Sequence, residues 1–316
     1  MKKETIVQYV YICSAPFSGS TLLSLLLGAH SSIFSIGELS HFPKNISQNT
    51  LCSCGAKIRN CEIWSKVLKE LLIYKKDFLN YPYKFNLWYI KPFHSDYIHK
   101  TITYKFKRKI ARGLKYLALS RFLFLEKFVN RLFDFEMIVN NTYLIYDLCR
   151  KVSKKEIILD SSKHYLKAIE LYRYNPKNFR ILLLVRDGRG VVYSCMKRGF
   201  SLKESVKIWK NAYKRALVLL NKYVSKEHYL FVKYENLVKN PEKVLRDICN
   251  FLNISFEYNM LTPANFVYHL TDGNKIRFSK ITSLKLDVSW KKALSKENLK
   301  YFKEKAGALN KYFGYE

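Results

Sequence analysis

From Thr5 to Gly37 the chain carries no Lys, Arg, Asp or Glu, and this uncharged stretch limits what its N-terminal part can become. Behind Lys2 and Lys3 it resembles a signal segment or a membrane anchor. Pro16, Gly19 and the Ser14, Ser18, Ser20 cluster interrupt it, so no part stays apolar for the ~20 residues that a span needs. What fits is a buried strand, a turn and a helix. Ile6–Ile12 is β-branched and aromatic and predicts a strand. Ser14–Gly19 predicts a turn, and Ser20–Ala29 (STLLSLLLGA) a helix opened by Ser or Thr.

The same alternation returns later. Ile157–Leu159 predicts a short strand that runs into Asp160-Ser161-Ser162-Lys163, with a helix over Tyr165–Tyr174. Arg180–Val185 (RILLLV) is continuously apolar after its first residue, as a strand covered on both faces must be. It ends in Arg186-Asp187-Gly188, and a helix follows to about Arg198. Ser201–Tyr223 predicts a long helix, Tyr229–Lys233 a strand and Pro241–Leu252 a helix. Strand–helix alternation of this kind implies an α/β fold on a parallel sheet, with ligands at the carboxyl ends of its strands. Between 62 and 150 no strand pattern is visible. The run KFKRKIARGLKYLALSRFLFLEKF places Leu114, Leu117, Phe122, Leu125 and Phe128 among cations. We read 65–150 as a helical, basic insertion that presents a solvated helical face, shapes an acceptor site as a lid, or rests a helix on an anionic membrane.

At 316 residues, with 48% hydrophobic and 26% charged side chains, the chain is long enough for a large core, and disorder and fibres are excluded. The formal charge of +31 speaks of partners rather than fold. Coding bias toward Lys, Asn, Ile and Tyr explains part of it; an anionic ligand, an acidic membrane or nucleic acid are the functional readings. Seven cysteines cannot all pair within one chain, which points to a reducing, cytoplasmic setting.

Two segments carry chemistry. Pro16-Phe17-Ser18-Gly19-Ser20-Thr21-Leu22 turns tightly at its glycine and enters a helix at once, so several backbone N–H groups converge on one spot. That is a phosphate cradle. It lacks the second glycine and the lysine of a triphosphate P-loop. In the second segment Arg186 emerges from a buried strand, and Ser194 and Arg198 share a helix face four residues apart. Two guanidinium groups and a hydroxyl suit another phosphate.

These segments resemble those of sulfotransferases that use 3′-phosphoadenosine-5′-phosphosulfate (PAPS). In that family a P-[RK]-S-G-[ST]-[ST]-L-L loop grips the 5′-phosphosulfate and an R-D-x-R-x-x-x-x-S segment the 3′-phosphate. Further matches are Ala29-His30-Ser31-Ser32 with Ile36-Gly37-Glu38, Asp160–Lys163, Tyr234-Glu235-Asn236-Leu237 with Pro241-Glu242, and His269 with Gly273-Asn274 and Arg277-Phe278. The spacing of Arg186, Ser194 and Arg198 looks like that of tyrosylprotein sulfotransferases. Cys52-Ser53-Cys54-Gly55 with Cys61 looks like a segment of many bacterial members. The resemblance spans most of the chain outside about 65–150. It implies a single domain over 1–316 with a P-loop-like three-layer fold, a central parallel sheet and a helical insertion. It also implies sulfonate transfer from PAPS, as cosubstrate, to a hydroxyl on a glycan, a lipid-linked sugar, a tyrosine or a small molecule. The donor contacts it implies are Pro16, Phe17, Ser18, Gly19, Ser20, Thr21, Leu22, Arg186, Ser194, Arg198, Tyr234, Asn274 and Arg277.

One departure matters. Phe17 stands where the family has Arg or Lys, so the charge on the transferring group is expected to fall to Lys163. Glu38 is the expected base and His41 its rival, while His30 reads as a structural residue at a helix end. Cys52, Cys54 and Cys61 fall one short of the four ligands of a structural zinc, with His41 the nearest fourth. A loop disulfide, or buried thiols beside the acceptor pocket, is expected instead, and no metal. Cys13, Cys149, Cys195 and Cys249 lie in apolar contexts and read as core. The competing readings are a nucleotide kinase or NTPase, against which the missing lysine argues, and a basic nucleotide- or membrane-binding protein without catalysis. No recognition helix or RNA-binding signature supports a specific nucleic-acid partner.

Overall fold

The computed structural model of the chain describes residues 7–87 and 102–316. Ile6, at the head of the first expected strand, and residues 88–101 of the expected insertion lie outside them. Five strands form one parallel sheet: β1 (Tyr9–Ser14), β2 (Ile33–Gly37), β3 (Ile157–Lys163), β4 (Phe179–Val185) and β5 (Tyr229–Lys233), in the order β2-β3-β1-β4-β5. β1 begins later than its apolar pattern suggests and runs through Ser14, because Tyr9 to Ser14 pair residue for residue with Phe179 to Leu184. β3 extends beyond its apolar part to Lys163, which carries a polar segment to the sheet's carboxyl edge. β2 has no counterpart in the strand pattern read from sequence.

Alternation along β1 divides the core. Tyr9, Tyr11 and Cys13 face one layer, while Val10 and Ile12 face the other. On the second face lie the helix Ser20–Gly28, through Leu22, Leu23, Leu26 and Leu27, and the helix Pro241–Leu252, through Leu245, Ile248 and Leu252. The first face is covered by the helices Tyr165–Tyr174 and Leu202–Tyr223, and also by Glu62–Tyr74 and Phe135–Ser153. Trp64, Val67, Leu71, Ile138, Ile145 and Tyr146 therefore belong to the same core as Tyr9 and Tyr11. The helical segment is built into the domain's core.

Its polar side is uneven. Lys115 is fully buried between Glu126 at 2.9 Å and Glu170 at 2.8 Å. By contrast Leu117, Phe122, Leu125 and Phe128 of the amphipathic run are exposed. No helix among the described residues is long and apolar enough to cross a membrane.

A second buried cation lies under the carboxyl edge. Lys167 has its ammonium 3.8 Å from Asp160 Oδ2. Burial is the largest influence on it and, against the pull of Asp160, pushes its pKa down from 10.5 to about 8. Between those values the unfolded chain binds more protons than the folded one, so stability rises with pH from about 8 to 10.5, and the penalty is complete below 8. Asp160 keeps Tyr146 OH and the Ser162 N–H and Oγ as donors if the lysine is removed. Lys167→Met should therefore abolish a rise of about 3 kcal/mol. Urea unfolding of both proteins at about pH 7 and about pH 10 measures it; a wild-type-to-variant difference independent of pH would contradict the assignment.

Candidate active site

The ends of β1, β3 and β4 open into a cleft of about 530 Å³. The turn after β1 forms its floor. Gly19 has φ +90°, and a Cβ there would lie 2.4 Å from the Tyr234 ring. The turn thus packs against the Tyr234 ring at a separation that only glycine permits. Arg186 closes the stack, with its guanidinium 4.7 Å from the Tyr234 ring centroid and Nη1 donating to the Phe17 carbonyl at 2.9 Å. Ser18 points away from the cleft, fully buried against Tyr213 OH at 3.0 Å. Tyr213 OH also donates to the Leu184 carbonyl, which ties the turn to β4. No side chain caps the helix that begins at Ser20, so its first-turn N–H groups face the cleft without a side-chain partner.

Most of the residues expected from sequence meet here. Pro16, Phe17, Gly19, Ser20, Thr21, Leu22, Glu38, Lys163, Arg186, Ser194, Arg198, Tyr234 and Asn274 all line the cleft. Ser18 and Arg277 do not. Arg277 donates to the Gly273 carbonyl at 2.5 Å and to Asp272 at 3.3 Å, so it shapes the loop that carries Asn274. Lys197, Lys275, Ile276 and Asp287 also line the cleft and are not among the residues expected from sequence. Lys197 and Lys275 adjoin matched motifs, a signal that was readable. Asp287 lies in no motif, yet it fixes Arg186 through two bonds of 3.1 Å from Nη2, one to its carbonyl and one to its carboxylate. Arg198 stands 5.4 Å from the centroid of the Phe17 ring, so a cation lies beside the aromatic that replaces the expected Arg or Lys.

At the other end of the cleft Lys163 and Glu38 form a direct ion pair, with side chains 19% and 16% exposed. Lys163 has φ +74°, a conformation that costs a non-glycine residue energy and that persists only where its surroundings enforce it. His41, the rival base, is 52% exposed, donates toward Asp272 at 2.7 Å and does not line the cleft. Burial works against ionisation of Asp272, but His41, the Gly273 N–H and Arg277 outweigh it and hold the carboxyl down at about 2. His30 stands apart: its Nδ1 accepts from the Ser32 N–H and its Nε2 donates to the Ser255 carbonyl at 2.7 Å.

The cysteines differ from the expectation. Cys54 Sγ and Cys61 Sγ are 3.7 Å apart, too far for a disulfide, and all seven thiols are free. None of Cys52, Cys54 and Cys61 lines the cleft. The histidine beside them is His269, with Nδ1 3.1 Å from Cys61 Sγ, and not His41. About two hundred residues of chain separate the partners, which is why spacing alone misses them. Cys13, Cys149, Cys195 and Cys249 are buried in the core.

A model of the sulfotransferase family matches residues 9–258. The chain belongs to this family. Membership supports sulfonate transfer in general as the chemistry of the chain. The sulfotransferase domain of the olefin synthase from Synechococcus PCC 7002 is similar in fold, with a TM-score of 0.52 at 18% identity over 100% of this chain and 98% of that one. Sulfotransferase STF9 from Mycobacterium avium gives 0.50 at 12% identity over 98% of this chain and 78% of that one. At such identities the likeness concerns the fold, which is the P-loop-like α/β architecture expected. A search of curated proteins finds no match.

The floor of the sulfotransferase cleft yields a direct test. Gly199 has φ +86° and open space where a methyl group would stand, whereas Gly19 has the Tyr234 ring in the way. Both Gly→Ala changes incur backbone strain, and Gly19→Ala adds an overpacking cost of about 1–3 kcal/mol. Thermal unfolding of the two variants should show the larger loss for Gly19→Ala; equal losses would mean that the turn does not rest on Tyr234.

Proposed function

We propose that this sulfotransferase takes its sulfonate from PAPS and passes it in line to an acceptor hydroxyl. The observation that carries the reading is the convergence of the uncapped helix start at Ser20, the Ser194–Arg198 face and the Lys163–Glu38 pair on one cleft. The N–H groups of the first helical turn would hold the 5′-phosphosulfate. Arg198, Ser194 and Arg186, with Lys197 close by, would hold the 3′-phosphate. Arg186 has a second duty, because its bond to the Phe17 carbonyl sets the turn that receives the 5′ group. Asn274 would close over the nucleotide: its backbone N–H donates to Thr21 Oγ1 at 3.0 Å.

The reaction needs two things of the protein beyond binding. Glu38 accepts the proton of the attacking hydroxyl, and Lys163 stabilises charge on the transferring and leaving oxygens. Their pairing holds the two side chains together at one end of the cleft. Phe17 supplies no charge there, so Lys163 carries the larger share. The reading is that of a PAPS-dependent sulfotransferase, with glycans, lipid-linked sugars, tyrosine and small molecules as acceptors to be screened with radiolabelled PAPS.

Calorimetry with adenosine 3′,5′-bisphosphate and adenosine 5′-monophosphate tests the donor. The second phosphate adds charge-assisted bonds, and the bisphosphate should bind at least about tenfold more tightly. Equal affinities would contradict the reading, and tight magnesium-dependent ATP binding would favour an NTPase.

Lys163→Ala should lower kcat for the screened acceptor by about 10²–10³-fold, with a smaller change in donor affinity, because the charge it meets develops in the transition state. Phe17→Arg in the same protein should recover part of the loss. Near-wild-type turnover of Lys163→Ala would assign the charge to another cation.

A further inference from the structure

The mechanism leaves one cluster of reactive side chains unused. Cys52, Cys54, Cys61 and His269 each offer one ligand atom, and these four atoms lie within 4.8 Å of one another. We propose that they form a closed structural zinc site, which clamps the loop bearing Asn274 onto the donor cleft.

The geometry is that of a tetrahedral site slightly before closure. Zinc–sulfur bonds of about 2.3 Å place two thiolates of a tetrahedron about 3.8 Å apart. Cys54 and Cys61 are 3.7 Å apart. The Cys61–His269 separation of 3.1 Å is somewhat tighter than the roughly 3.5 Å edge between sulfur and nitrogen. Three thiolates and an imidazole, with no oxygen ligand, select zinc over magnesium, calcium or manganese. Binding is redox-neutral: three thiol protons pass to solvent and three thiolates and one neutral imidazole donate to the ion. Four protein ligands leave no open position, so the role is structural.

The ligands are preset by three different segments. Cys52 and Cys54 sit on a tight knuckle, in which the Cys52 N–H donates to the Ala56 carbonyl and the Gly55 N–H to the Cys52 carbonyl, each at 2.9 Å. Gly55, at φ +90°, turns that knuckle. Cys61 immediately precedes the helix Glu62–Tyr74, whose N-terminus favours a thiolate. His269 comes from far along the chain and its backbone is held from both sides. Trp64 Nε1 donates to its carbonyl at 2.6 Å, and Ser53 Oγ bonds the Tyr268 carbonyl and the Leu270 N–H.

The residues just beyond His269 tie the site to the cleft. The Thr271 N–H donates to the Ile36 carbonyl, the Asp272 carbonyl accepts from the Glu38 N–H, and the Asn274 N–H reaches Thr21. The clamp at His269 is therefore joined to the cleft residue Asn274 by a short strap, and the same strap hydrogen-bonds the backbone of Glu38. Loss of the ion should loosen the strap without removing any group from the cleft.

The test uses the full chain purified in thiol reductant. Elemental analysis should find about one zinc per chain. Cobalt put in its place should show thiolate-to-metal charge transfer and the intense visible bands of a tetrahedral ion. Chelation should lower Tm, and zinc but not magnesium should restore it. His269→Ala should lose the zinc, whereas His269→Cys, which keeps four soft ligands, should retain it; the pair separates loss of a ligand from loss of the fold. Wild-type protein that takes up no stoichiometric zinc in reductant, or cobalt that gives an octahedral spectrum without charge-transfer bands, would overturn the proposal. Neither result bears on donor binding, which the calorimetry above reads separately.

Discussion

The cleft depends on one packing contact, the turn at Gly19 laid on the ring of Tyr234 with the Arg186 guanidinium over the same ring. Under the proposed function the turn offers backbone N–H groups to an anion, and it could not then use those groups to fix itself. It is held from behind instead. Tyr234 supports it, Arg186 binds the Phe17 carbonyl, and Ser18 is buried against Tyr213. Arg186 is positioned in turn by Asp287, and its own carbonyl accepts from Trp209 Nε1. The turn is thus fixed by contacts on its far side, and under the proposed function that would lower the ordering cost of donor binding.

The reacting end is built differently. It rests on the polar extension of β3, where Lys163 takes a left-handed conformation, and on the end of β2, just before Glu38. Asp160 organises the β3 extension by accepting from Ser162 and Tyr146, and Ser162 Oγ in turn accepts from the Ser40 N–H. The strap from His269 to Arg277 runs across both ends, bonding to β2 and to Thr21. One segment thus touches both the Thr21 end and the Glu38 end of the cleft.

Elements with a strong pattern were legible in the sequence. β4, β5 and the helices Leu202–Tyr223 and Pro241–Leu252 follow from apolar periodicity and caps, including the Ser201–Glu204 capping box. The turn after β1 was legible as a strand-to-helix turn from its glycine and hydroxyls, which by themselves often do no more than begin a helix; only together with the Arg186–Arg198 segment did it point to phosphate binding. β2 was not, because Ile33–Gly37 is five residues long and its edge position gives no alternation with charge. Leu117, Phe122 and Phe128 are exposed, as a solvated or surface-resting face would have them, whereas the burial of Lys115 between Glu126 and Glu170 could not be read from periodicity, which marks it as polar. Ser18 and Arg277 share motifs with cleft residues, yet Ser18 is bonded to Tyr213 and Arg277 to Gly273 and Asp272. A motif names a neighbourhood; the direction of each side chain is fixed only by tertiary packing. His269 and the three cysteines show the same limit over long range, since nothing local links position 61 to 269.

The central claim is that the cleft receives a nucleotide with phosphates at both ends of its ribose. A crystal structure of the chain with adenosine 3′,5′-bisphosphate tests it most directly. The 5′-phosphate should lie within hydrogen-bond distance of the Ser20–Leu22 N–H groups and the 3′-phosphate beside Ser194 and Arg198, with Lys163 facing the 5′ side. Bisphosphate bound with its phosphates reversed, or outside the cleft, would contradict the claim.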